Sequence, residues 1–583
     1  MARVTWDGRA LEIEAGGNLL TGALEAGILV PHLCFHPALT TPASCRLCAI
    51  EVLDDGAEDW RLTTACDAGV VEGMKVRTES SAVRQARAAA IEFQLLRHPL
   101  DCPSCDKSGE CELQEFSFAY GGDGPYVLPD KGFSEVVDLG GHVAIDRGKC
   151  IQCTRCVRFC EEVTGTEELS MFDRGERLEV STFPGARLDN QLSGNTVDLC
   201  PAGALIDKQF RLQPAWQLRG TDSICNGCSA GCNIRIDVNL NQVRRLKPRV
   251  NMAVNEYWMC DDGRHGWQYI HSPERLRHPL VRVDRTPSTA GDGHSTQPVA
   301  SWPSAFNVIH AAFNQCRSQG KQIGVILGGQ MTNEEAYLLI RLAHAWDSKW
   351  TTLRESVSIQ GDISYKSGFT IRRDKAANRR GIEQVAAGLG KQLCGMDELI
   401  EALHQDQVGA AFVVGGGPGV RPGDTELSAL EKISDGVVVL DIMQDELSAL
   451  AGVVLPGCSF AEKTGTLTNV DGRTQHFSTA IEPTPGCLDD LEILKRLAAR
   501  FGTAEAGLGT AEAIFADMAA RLDGCSELAG LTYGKLPDAS ACLGSAQAYG
   551  GGWSSVLQRQ GFLPVEDHNK KLRKPDHRAL ESD

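Results

Sequence analysis

The alternation of apolar and polar positions predicts a small β-rich unit at the start of the chain. Val4–Trp6 and Ala10–Ile13 alternate with a period of two on either side of Asp7-Gly8, a dipeptide that favours tight turns. Asn18 precedes an apolar helical pattern that runs to about Ala26, and its side chain is suited to cap that helix. We therefore expect a hairpin followed by a short helix.

A longer helix and then an alternation of strands and helices are predicted further along. Ser81–Leu96 is rich in alanine and carries an apolar stripe, which is typical of a helix. A Pro/Gly/Ser/Thr-rich stretch, Asp284–Ser301, is predicted to be a linker or a long surface loop. Beyond it, helices alternate with short apolar strands, and this alternation predicts a parallel α/β domain. The strands are Gln322–Leu327, Ala411–Val414 and Val437–Leu440, and a helix capped by Thr332 or Asn333 is expected to run through Trp346.

The composition points to an ordinary globular chain with several domains. Its 583 residues exceed the usual length of one domain several times. The apolar content of 42% and the charged content of 23% exclude global disorder. A formal net charge of −18 argues against general nucleic-acid binding. No apolar run reaches membrane-spanning length and no signal peptide opens the chain, so we expect the reducing cytoplasm.

Cysteine is the unusual residue, because 16 of the 22 cysteines lie at or before Cys260. Clustered thiols in a reducing compartment more often hold metal than form disulfides. Set one is Cys34, Cys45, Cys48 and Cys66. A loop that holds a C-x2-C pair, with a distant fourth cysteine and a β-rich context, is typical of a ferredoxin with a [2Fe–2S] cluster. A zinc knuckle is the alternative for this set.

The next group of potential ligands contains a histidine. Set two is His98, Cys102, Cys105 and Cys111. Three thiolates and one imidazole can bind either zinc or a [4Fe–4S] cluster, and zinc would be the default for this set in isolation. Its place between other cluster motifs favours [4Fe–4S]. The neutral imidazole would make such a cluster less negative and so change its reduction potential.

Two further groups have the spacing of cubane clusters. Set three is Cys150, Cys153, Cys156 and Cys200, and set four is Cys225, Cys228, Cys232 and Cys260. Three thiolates within seven residues suit three corners of a cubane, and Cys200 before Pro201 closes the fourth, as in bacterial ferredoxins. The C-x2-C-x3-C run of set four also favours [4Fe–4S] over zinc. Cys160 extends the run of set three, but no second triplet lies near Cys200, so we interpret it as a packed thiol without metal.

The segments around the four sets resemble a known family. They read PHLCFHPALTTPASCRLCAIEV, HPLDCPSCDKSGECELQEFSFAYG, IDRGKCIQCTRCVRFCEEVTGTEEL, DLCPAGAL, CNGCSAGC and NEYWMCDDGRHGW. Over about residues 1–275 the chain is similar to the large iron–sulfur subunits (G subunits) of bacterial NADH-quinone oxidoreductase, respiratory complex I. LPGCSFAEKTGTLTNVDGRTQ, residues 455–475, resembles a segment of the molybdopterin-oxidoreductase fold that this family carries in degenerate form.

The resemblance implies the cofactors and their roles. Set one would hold one [2Fe–2S] cluster, and sets two, three and four would each hold a [4Fe–4S] cluster, with no molybdopterin expected. The first three would relay electrons, within the peripheral arm, from a flavin- and NADH-binding partner towards quinone-proximal iron–sulfur subunits. The fourth occurs in only some members and lies off the main path. The chain itself would make or break no substrate bond, and it would reach the cytoplasmic side of the inner membrane only through its partners.

The resemblance also implies a multidomain chain of α+β and α/β type. We expect a β-grasp [2Fe–2S] ferredoxin domain at 1–80, a histidine-ligated [4Fe–4S] domain at 81–140 and a bacterial-ferredoxin-like [4Fe–4S] domain at 141–217. A [4Fe–4S] domain of the molybdopterin-oxidoreductase type is expected at 218–275. A degenerate molybdopterin-oxidoreductase-like α/β domain would span 276–500, and a C-terminal extension would span 501–583.

Three alternatives stay open at this point. A catalytic molybdopterin-dependent oxidoreductase of the formate dehydrogenase type also has a C-x2-C-x3-C cubane. Only 323 residues follow Cys260 here, however, and Asp261-Asp262-Gly263 stands where catalytic relatives typically place a Lys-Gly pair. No cysteine or serine is a convincing molybdenum ligand. The iron–sulfur subunit of an NAD-linked hydrogenase or formate dehydrogenase is the second alternative, and a zinc-bound interaction scaffold is the third.

Overall fold

The computed structural model describes residues 1–122, 131, 135–282, 299–415, 417, 420–522 and 528–536. The predicted linker at Asp284–Ser301 lies outside the described residues except for its last three, and the predicted C-terminal extension is described only as far as residue 536. The chain divides into two compact units, with the boundary between Gln217 and Leu218. Each unit is described in turn below.

The first unit begins with a mixed five-stranded sheet. Its strands, from one edge to the other, are Arg9–Ile13, Ala2–Trp6, Lys75–Arg77, Ala49–Leu53 and Arg61–Thr64. The first two strands form an antiparallel hairpin with Trp6 opposite Arg9, so the hairpin predicted around Asp7-Gly8 is confirmed. Ala2–Trp6 also pairs in parallel with Lys75–Arg77. A mixed sheet with one short helix is the arrangement expected of a β-grasp domain.

The helix beside this sheet begins where the sequence predicts. It spans Leu19–Glu25, and the Asn18 side chain accepts hydrogen bonds from the backbone N–H groups of Leu20 and Thr21, at 3.0 and 3.2 Å. These bonds satisfy two of the donors that a helix N-terminus leaves without an internal partner. The local prediction held because a cap depends on neighbouring residues alone.

The rest of the first unit consists of short elements joined by the cysteine-bearing loops. The helices are Ser81–Leu95, Glu112–Tyr120, Arg155–Arg158 and Asn195–Leu199, and a π-helical segment spans Phe159–Thr164. An antiparallel three-stranded sheet contains Leu205–Asp207, Val143–Asp146 and Val136–Asp138, and a separate hairpin pairs Ser170–Phe172 with Glu179–Ser181. The helix predicted at Ser81–Leu96 is confirmed, and it ends one residue earlier.

The second unit opens with a small antiparallel sheet and continues into a larger parallel one. The small sheet contains Arg219–Ile224, Asn233–Asn239 and Gln242–Pro248. The larger sheet has six strands in the order Leu280–Val281, Val453–Pro456, Val437–Asp441, Val408–Val414, Gln322–Leu327 and Thr351–Leu353. All of its pairs are parallel except the one made by the first strand. The predicted parallel α/β domain is therefore confirmed.

Helices and two short hairpins surround this sheet. The helices are Asp261–His265, Trp302–Ser318, Asn333–Ala345, Arg379–Gly388, Met396–His404, Asp424–Glu431, Glu446–Leu450, Asp490–Arg500 and Ala511–Arg521. The hairpins pair Ile363–Ser364 with Thr370–Ile371, and Gly465–Thr468 with Thr474–Phe477. Thr332 caps Asn333–Ala345 through a reciprocal capping box with Glu335, as the sequence predicts. Among the described helices, none has the length and apolar character needed to cross a membrane.

Aromatic packing around Trp346 anchors the core of the second unit. Trp346 is 2% exposed, and its ring lies 5.1 Å from Phe313, 6.0 Å from Phe412 and 5.5 Å from Phe501. The contacts with Phe313 and Phe501 are T-shaped, which is a favourable arrangement for aromatic rings. One side chain thus joins helices on the sheet face to the strand Val408–Val414.

We expect Trp346→Ala to lower the free energy of unfolding of the second unit by about 3–5 kcal/mol, because it leaves a large cavity in a packed core. Urea unfolding followed by circular dichroism measures this loss. Leu240→Ala is the matched control, since Leu240 is 86% exposed in the same unit and should change stability by less than about 0.5 kcal/mol. Equal losses in the two variants would contradict this account of the core.

Candidate metal centres

The four cysteines of set one meet at one end of the five-stranded sheet. Cys48 precedes the strand Ala49–Leu53 and Cys66 follows the strand Arg61–Thr64, and these strands pair antiparallel. Hydrogen bonds join the thiols in two pairs, Cys34 with Cys45 and Cys48 with Cys66. These bonds, together with burial, raise the pKa of both Cys45 and Cys48. All four side chains are at most 5% exposed, so a group bound between them would be shielded from water.

The loop that carries Cys45 takes a left-handed backbone without using glycine. Ala43 has a φ of 51° and Arg46 a φ of 58°, values that non-glycine residues adopt at a cost. Next to this loop, the backbone N–H of Leu33 donates to the Cys45 sulfur at 3.4 Å. The sequence 42–44 is poor in glycine for such a loop, and the chain forms the tight loop nonetheless.

Set two lies around the start of the helix Glu112–Tyr120. Cys111 caps that helix, because its sulfur accepts the backbone N–H of Gln114 at 3.4 Å. His98 is buried, and its Nδ1 atom has no hydrogen-bond partner among the described residues. Burial lowers the pKa of His98, which favours the neutral imidazole that a metal ligand requires. A buried ring nitrogen of this kind is suited to bind a metal.

Sets two and three share a boundary at the Cys200-Pro201 loop. The Cys111 thiol lies 3.7 Å from the Pro201 carbonyl oxygen, and a Cβ atom on Gly203 would overlap the Cys105 sulfur. Gly203 therefore provides the space into which the Cys105 side chain packs. The residues that close set three thus also form one wall of set two.

The four cysteines of set three influence one another electrostatically. Burial raises the pKa of Cys156, and Cys153, Cys150 and Cys200 raise it further. Gln152 and Thr154, on either side of Cys153, have φ values of 54° and 61°. This left-handed backbone brings the N–H of Gln152 to the Cys150 sulfur at 3.4 Å. The loop thereby directs its thiols to one side and a backbone donor to their sulfurs.

Cys160 lies in the π-helical segment Phe159–Thr164 and is fully buried. Burial raises its pKa to about 12, and the next contribution comes from Glu168, with no ligand cysteine among the causes. Its carbonyl oxygen accepts the N–H groups of Thr166 and Glu167, at 2.9 and 3.1 Å. These features agree with the interpretation of Cys160 as a packed thiol.

Set four is built on the small antiparallel sheet of the second unit. Cys225 follows the strand Arg219–Ile224, and its backbone N–H donates to the carbonyl oxygen of Cys232 at 2.8 Å. Cys260 caps the helix Asp261–His265 by accepting the N–H of Gly263 at 3.4 Å. A Cβ atom on Gly263 would lie 3.0 Å from the Cys225 sulfur and 3.5 Å from the Cys260 sulfur. Glycine at this position keeps the space between the sulfurs open.

The thiols share features that bear on the kind of metal group. All 20 cysteines of the described chain are free, so none of them is tied up in a disulfide. Across the described ranges, no three His, Cys, Asp or Glu side chains converge closely enough to hold a single metal ion. Ligands of one tetrahedral zinc converge on a single atom, whereas the thiolates of a cubane each bind a different iron.

Two buried arginines that the sequence did not single out connect the sets of the first unit. Arg158 Nη2 donates to the carbonyl oxygen of Cys34 at 2.5 Å and to that of Cys153 at 3.4 Å. Arg155 Nη1 donates to both carboxylate oxygens of Glu112, at 3.2 and 3.1 Å, and to the carbonyl oxygen of Leu199 at 3.2 Å. Arginines inside a tight cysteine motif were the signal in the sequence that could have found them.

The second unit contains a cleft of about 550 Å³ where the parallel strands end. Its charged lining residues are Glu335, Asp441, Lys463 and Asp490. Lys463 is paired with Glu335 and with Asp490, both at 2.7 Å. Burial raises the pKa of Asp441 and of Glu335 to about 7. The lining therefore holds three acids and one base, and the base is already engaged.

Models of known families match most of the chain in consecutive segments. The 2Fe-2S iron-sulfur cluster binding domain matches 1–81, the NADH-ubiquinone oxidoreductase-G iron-sulfur binding region 87–124, and the ferredoxin-like domain of NADH-quinone oxidoreductase subunit 3 140–206. The molybdopterin oxidoreductase Fe4S4 domain matches 218–272, and the molybdopterin oxidoreductase model matches 275–378 and 376–500. These matches confirm the fold classes expected from the sequence, including binding domains for both 2Fe–2S and 4Fe–4S clusters.

Curated relatives carry the same combination. The NADH-ubiquinone oxidoreductase 75 kDa subunit of Reclinomonas americana is 34% identical over 342 residues, which are 58% of this chain and 47% of that protein. The NADH-quinone oxidoreductase G subunit of Rickettsia prowazekii is 33% identical over 58% of this chain and 48% of its own. The chain thus spans about half the length of these relatives. The G subunit of Rickettsia felis is 27% identical over 85% of this chain and 87% of its own.

Solved structures give weaker likenesses. A chain of NAD+-reducing [NiFe]-hydrogenase in the H2-reduced state matches 37% of this chain and 91% of its own, with 29% identity and a TM-score of 0.33. Acetylene hydratase from Pelobacter acetylenicus matches 60% of this chain and 79% of its own, with 12% identity and a TM-score of 0.40. Both TM-scores lie below 0.5, so neither likeness bears on fold or function.

The order of matched segments and the relatives agree with the resemblance seen in the cysteine motifs. The relatives, from bacteria and mitochondria, are named as the G subunit of NADH-quinone oxidoreductase or as the 75 or 78 kDa subunit of NADH-ubiquinone oxidoreductase. The chain therefore belongs to the family of NADH-quinone oxidoreductase G subunits.

Proposed function

We propose that this chain is the iron–sulfur electron-transfer subunit of an NADH:quinone oxidoreductase. One observation carries the proposal: three groups of buried, disulfide-free potential ligands lie side by side in one compact unit, and shared contacts connect them. A single metal-binding group would be expected of a structural site. Adjacent groups with different ligand types are instead suited to a series of redox centres.

The residues present fit the proposed clusters. Set one would hold [2Fe–2S], and sets two, three and four would each hold [4Fe–4S]. The unpartnered Nδ1 of His98 supports a histidine ligand in set two, and the space kept by Gly263 supports a group between the thiols of set four. Backbone N–H groups already point at the sulfurs of Cys45, Cys111, Cys150, Cys225 and Cys260.

The protein's own contribution is to hold, shield and tune. One-electron transfer is the chemistry that iron–sulfur clusters supply when bound. Hydrogen bonds from backbone N–H groups to ligand sulfurs stabilise the more negative, reduced state. Burial of the set one thiols, at most 5% exposed, limits solvent access to that site. The chain would thus set reduction potentials and the order of the sites without a catalytic residue of its own.

The remaining steps would belong to partner subunits. NADH and flavin would bind in one partner, and electrons would leave towards quinone through other iron–sulfur subunits. Attachment to the cytoplasmic side of the inner membrane would come from those partners. The boundaries predicted from the sequence, at 80, 140, 217, 275 and 500, are part of this proposal.

A molybdopterin does not fit the cleft of the second unit. A phosphate-bearing cofactor needs free cations or backbone donors, yet Lys463 is already paired with two acids and Asp441 adds a third. This charge pattern supports an electron-transfer role for the chain over the catalytic alternative of the formate dehydrogenase type.

We expect Cys153→Ser to remove or cripple the set three cluster and to block NADH-to-quinone electron transfer. Cys160→Ser is the matched control, since Cys160 is four residues from Cys156, is fully buried and lies outside the proposed ligand sets. Iron content and the NADH-to-quinone rate of the assembled complex measure the effect. Retention of both in Cys153→Ser, or loss of both only in Cys160→Ser, would refute the assignment of set three.

In His98→Cys a thiolate replaces a neutral imidazole, so we expect the set two cluster to assemble with a lower reduction potential. A redox titration followed by electron paramagnetic resonance (EPR) measures the shift. The set four signal in the same sample serves as an internal reference that should not move. A set two potential equal to or above that of the wild type would show that His98 is not a ligand.

Metal analysis of the purified chain separates the proposal from its alternatives. We expect about 14 iron atoms per chain, the content of one [2Fe–2S] and three [4Fe–4S] clusters, without molybdenum or tungsten. A stoichiometric content of molybdenum or tungsten would support the catalytic pterin alternative. Zinc in place of iron would support the interaction scaffold.

A further inference from the structure

We propose that Arg158 is a positioning residue that ties the set one ligand loop to the set three ligand loop and places one buried positive charge beside both. This inference rests on the proposed function, since it concerns the clusters that those sets would hold. Arg158 is 7% exposed, so its charge acts in a medium with little screening by water.

The contacts of Arg158 reach two proposed ligands directly. Its Nη2 atom donates to the carbonyl oxygens of Cys34 and Cys153, at 2.5 and 3.4 Å. Nη1 donates to the carbonyl oxygen of Thr40, in the loop between Cys34 and Cys45. The planar guanidinium can direct several donors at fixed angles, which a lysine ammonium cannot do. One side chain therefore fixes both loops.

A second contact from the same segment holds the same loop. Glu162 lies in the π-helical segment that follows Arg158, and its carboxylate accepts the backbone N–H of Thr40 at 2.8 Å and the Thr40 hydroxyl at 2.5 Å. Arg158 and Glu162 thus bind the carbonyl, the N–H and the hydroxyl of one residue. The set one loop is clamped to the set three segment by two side chains of opposite charge.

The arginine is held in place from its own side. Its Nε atom donates to the Thr154 hydroxyl at 3.2 Å, and Thr154 takes the left-handed conformation within the set three loop. The Arg158 charge is also close enough to the Cys153 and Cys34 sulfurs to interact with both. A fixed positive charge near both sites favours the more negative, reduced state of each, and so should raise both reduction potentials.

Arg158→Gln removes the charge and the fork of donors. We expect the midpoint potentials of the set one and set three clusters both to fall, measured by EPR redox titration of the purified full-length chain. The set four potential should stay unchanged, because its ligands lie in the other unit. Unchanged potentials, or a fall in only one of the two, would overturn the inference.

Arg158→Lys keeps the charge but loses the fork that spans both carbonyls. We expect this variant to load both clusters, with potentials above those of Arg158→Gln. EPR power saturation should also show weaker magnetic interaction between the two reduced clusters than in the wild type. If Arg158→Gln fails to assemble, this measurement decides: an interaction equal to that of the wild type would overturn the positioning role.

The matched control removes a buried arginine elsewhere. Arg354 is 4% exposed and is paired with Glu426 at 2.5 Å in the second unit. Arg354→Gln should lower stability without shifting the set one and set three potentials. The wild-type spectrum separates the two levels of the account: absence of cluster signals there would refute the proposed function, whereas normal signals with unshifted variants would refute only the role of Arg158.

Discussion

The structure of the first unit depends on the need to satisfy buried guanidinium groups. Arg155 and Arg158 are 1% and 7% exposed, and a buried charge without hydrogen bonds would be strongly destabilising. Their acceptors are the backbone and side chains of residues in or next to the potential ligand sets. The chain can bury these charges only if the loops of three sets come together. The same contacts that satisfy the arginines therefore fix where the ligands lie.

Backbone geometry completes the arrangement at each site. Left-handed residues such as Gln152 and Arg46 turn the chain sharply next to a cysteine, and N–H groups then meet the sulfurs. Two of the cysteines also cap helices, so the helix N-terminus directs a donor at each of them. The strain of the left-handed residues is consistent with sites whose shape is determined by what they bind.

Local features of the fold could be predicted from the sequence, and contacts between distant segments could not. The first hairpin, the Asn18 cap and the strand Gln322–Leu327 follow from neighbouring residues, and all three were placed correctly. Cysteine spacing grouped the potential ligands, because tight motifs constrain which thiols can share a cluster. The partners of Arg158 are up to 124 residues away, and no local pattern indicates such a contact. Likewise, nothing in the sequence around Ala43 indicated a left-handed loop without glycine.

The two units differ in what their buried charges do. In the first, arginines bind the loops of potential ligands; in the second, Lys463 neutralises acids around a cleft in a fold shared with molybdopterin enzymes. The central claim is that the cysteine sets hold a series of iron–sulfur clusters. Low-temperature EPR of the reduced, purified chain tests it most directly. The account predicts signals of one [2Fe–2S] cluster together with [4Fe–4S] clusters in a coloured protein, and a colourless protein without an EPR signal on reduction would contradict it.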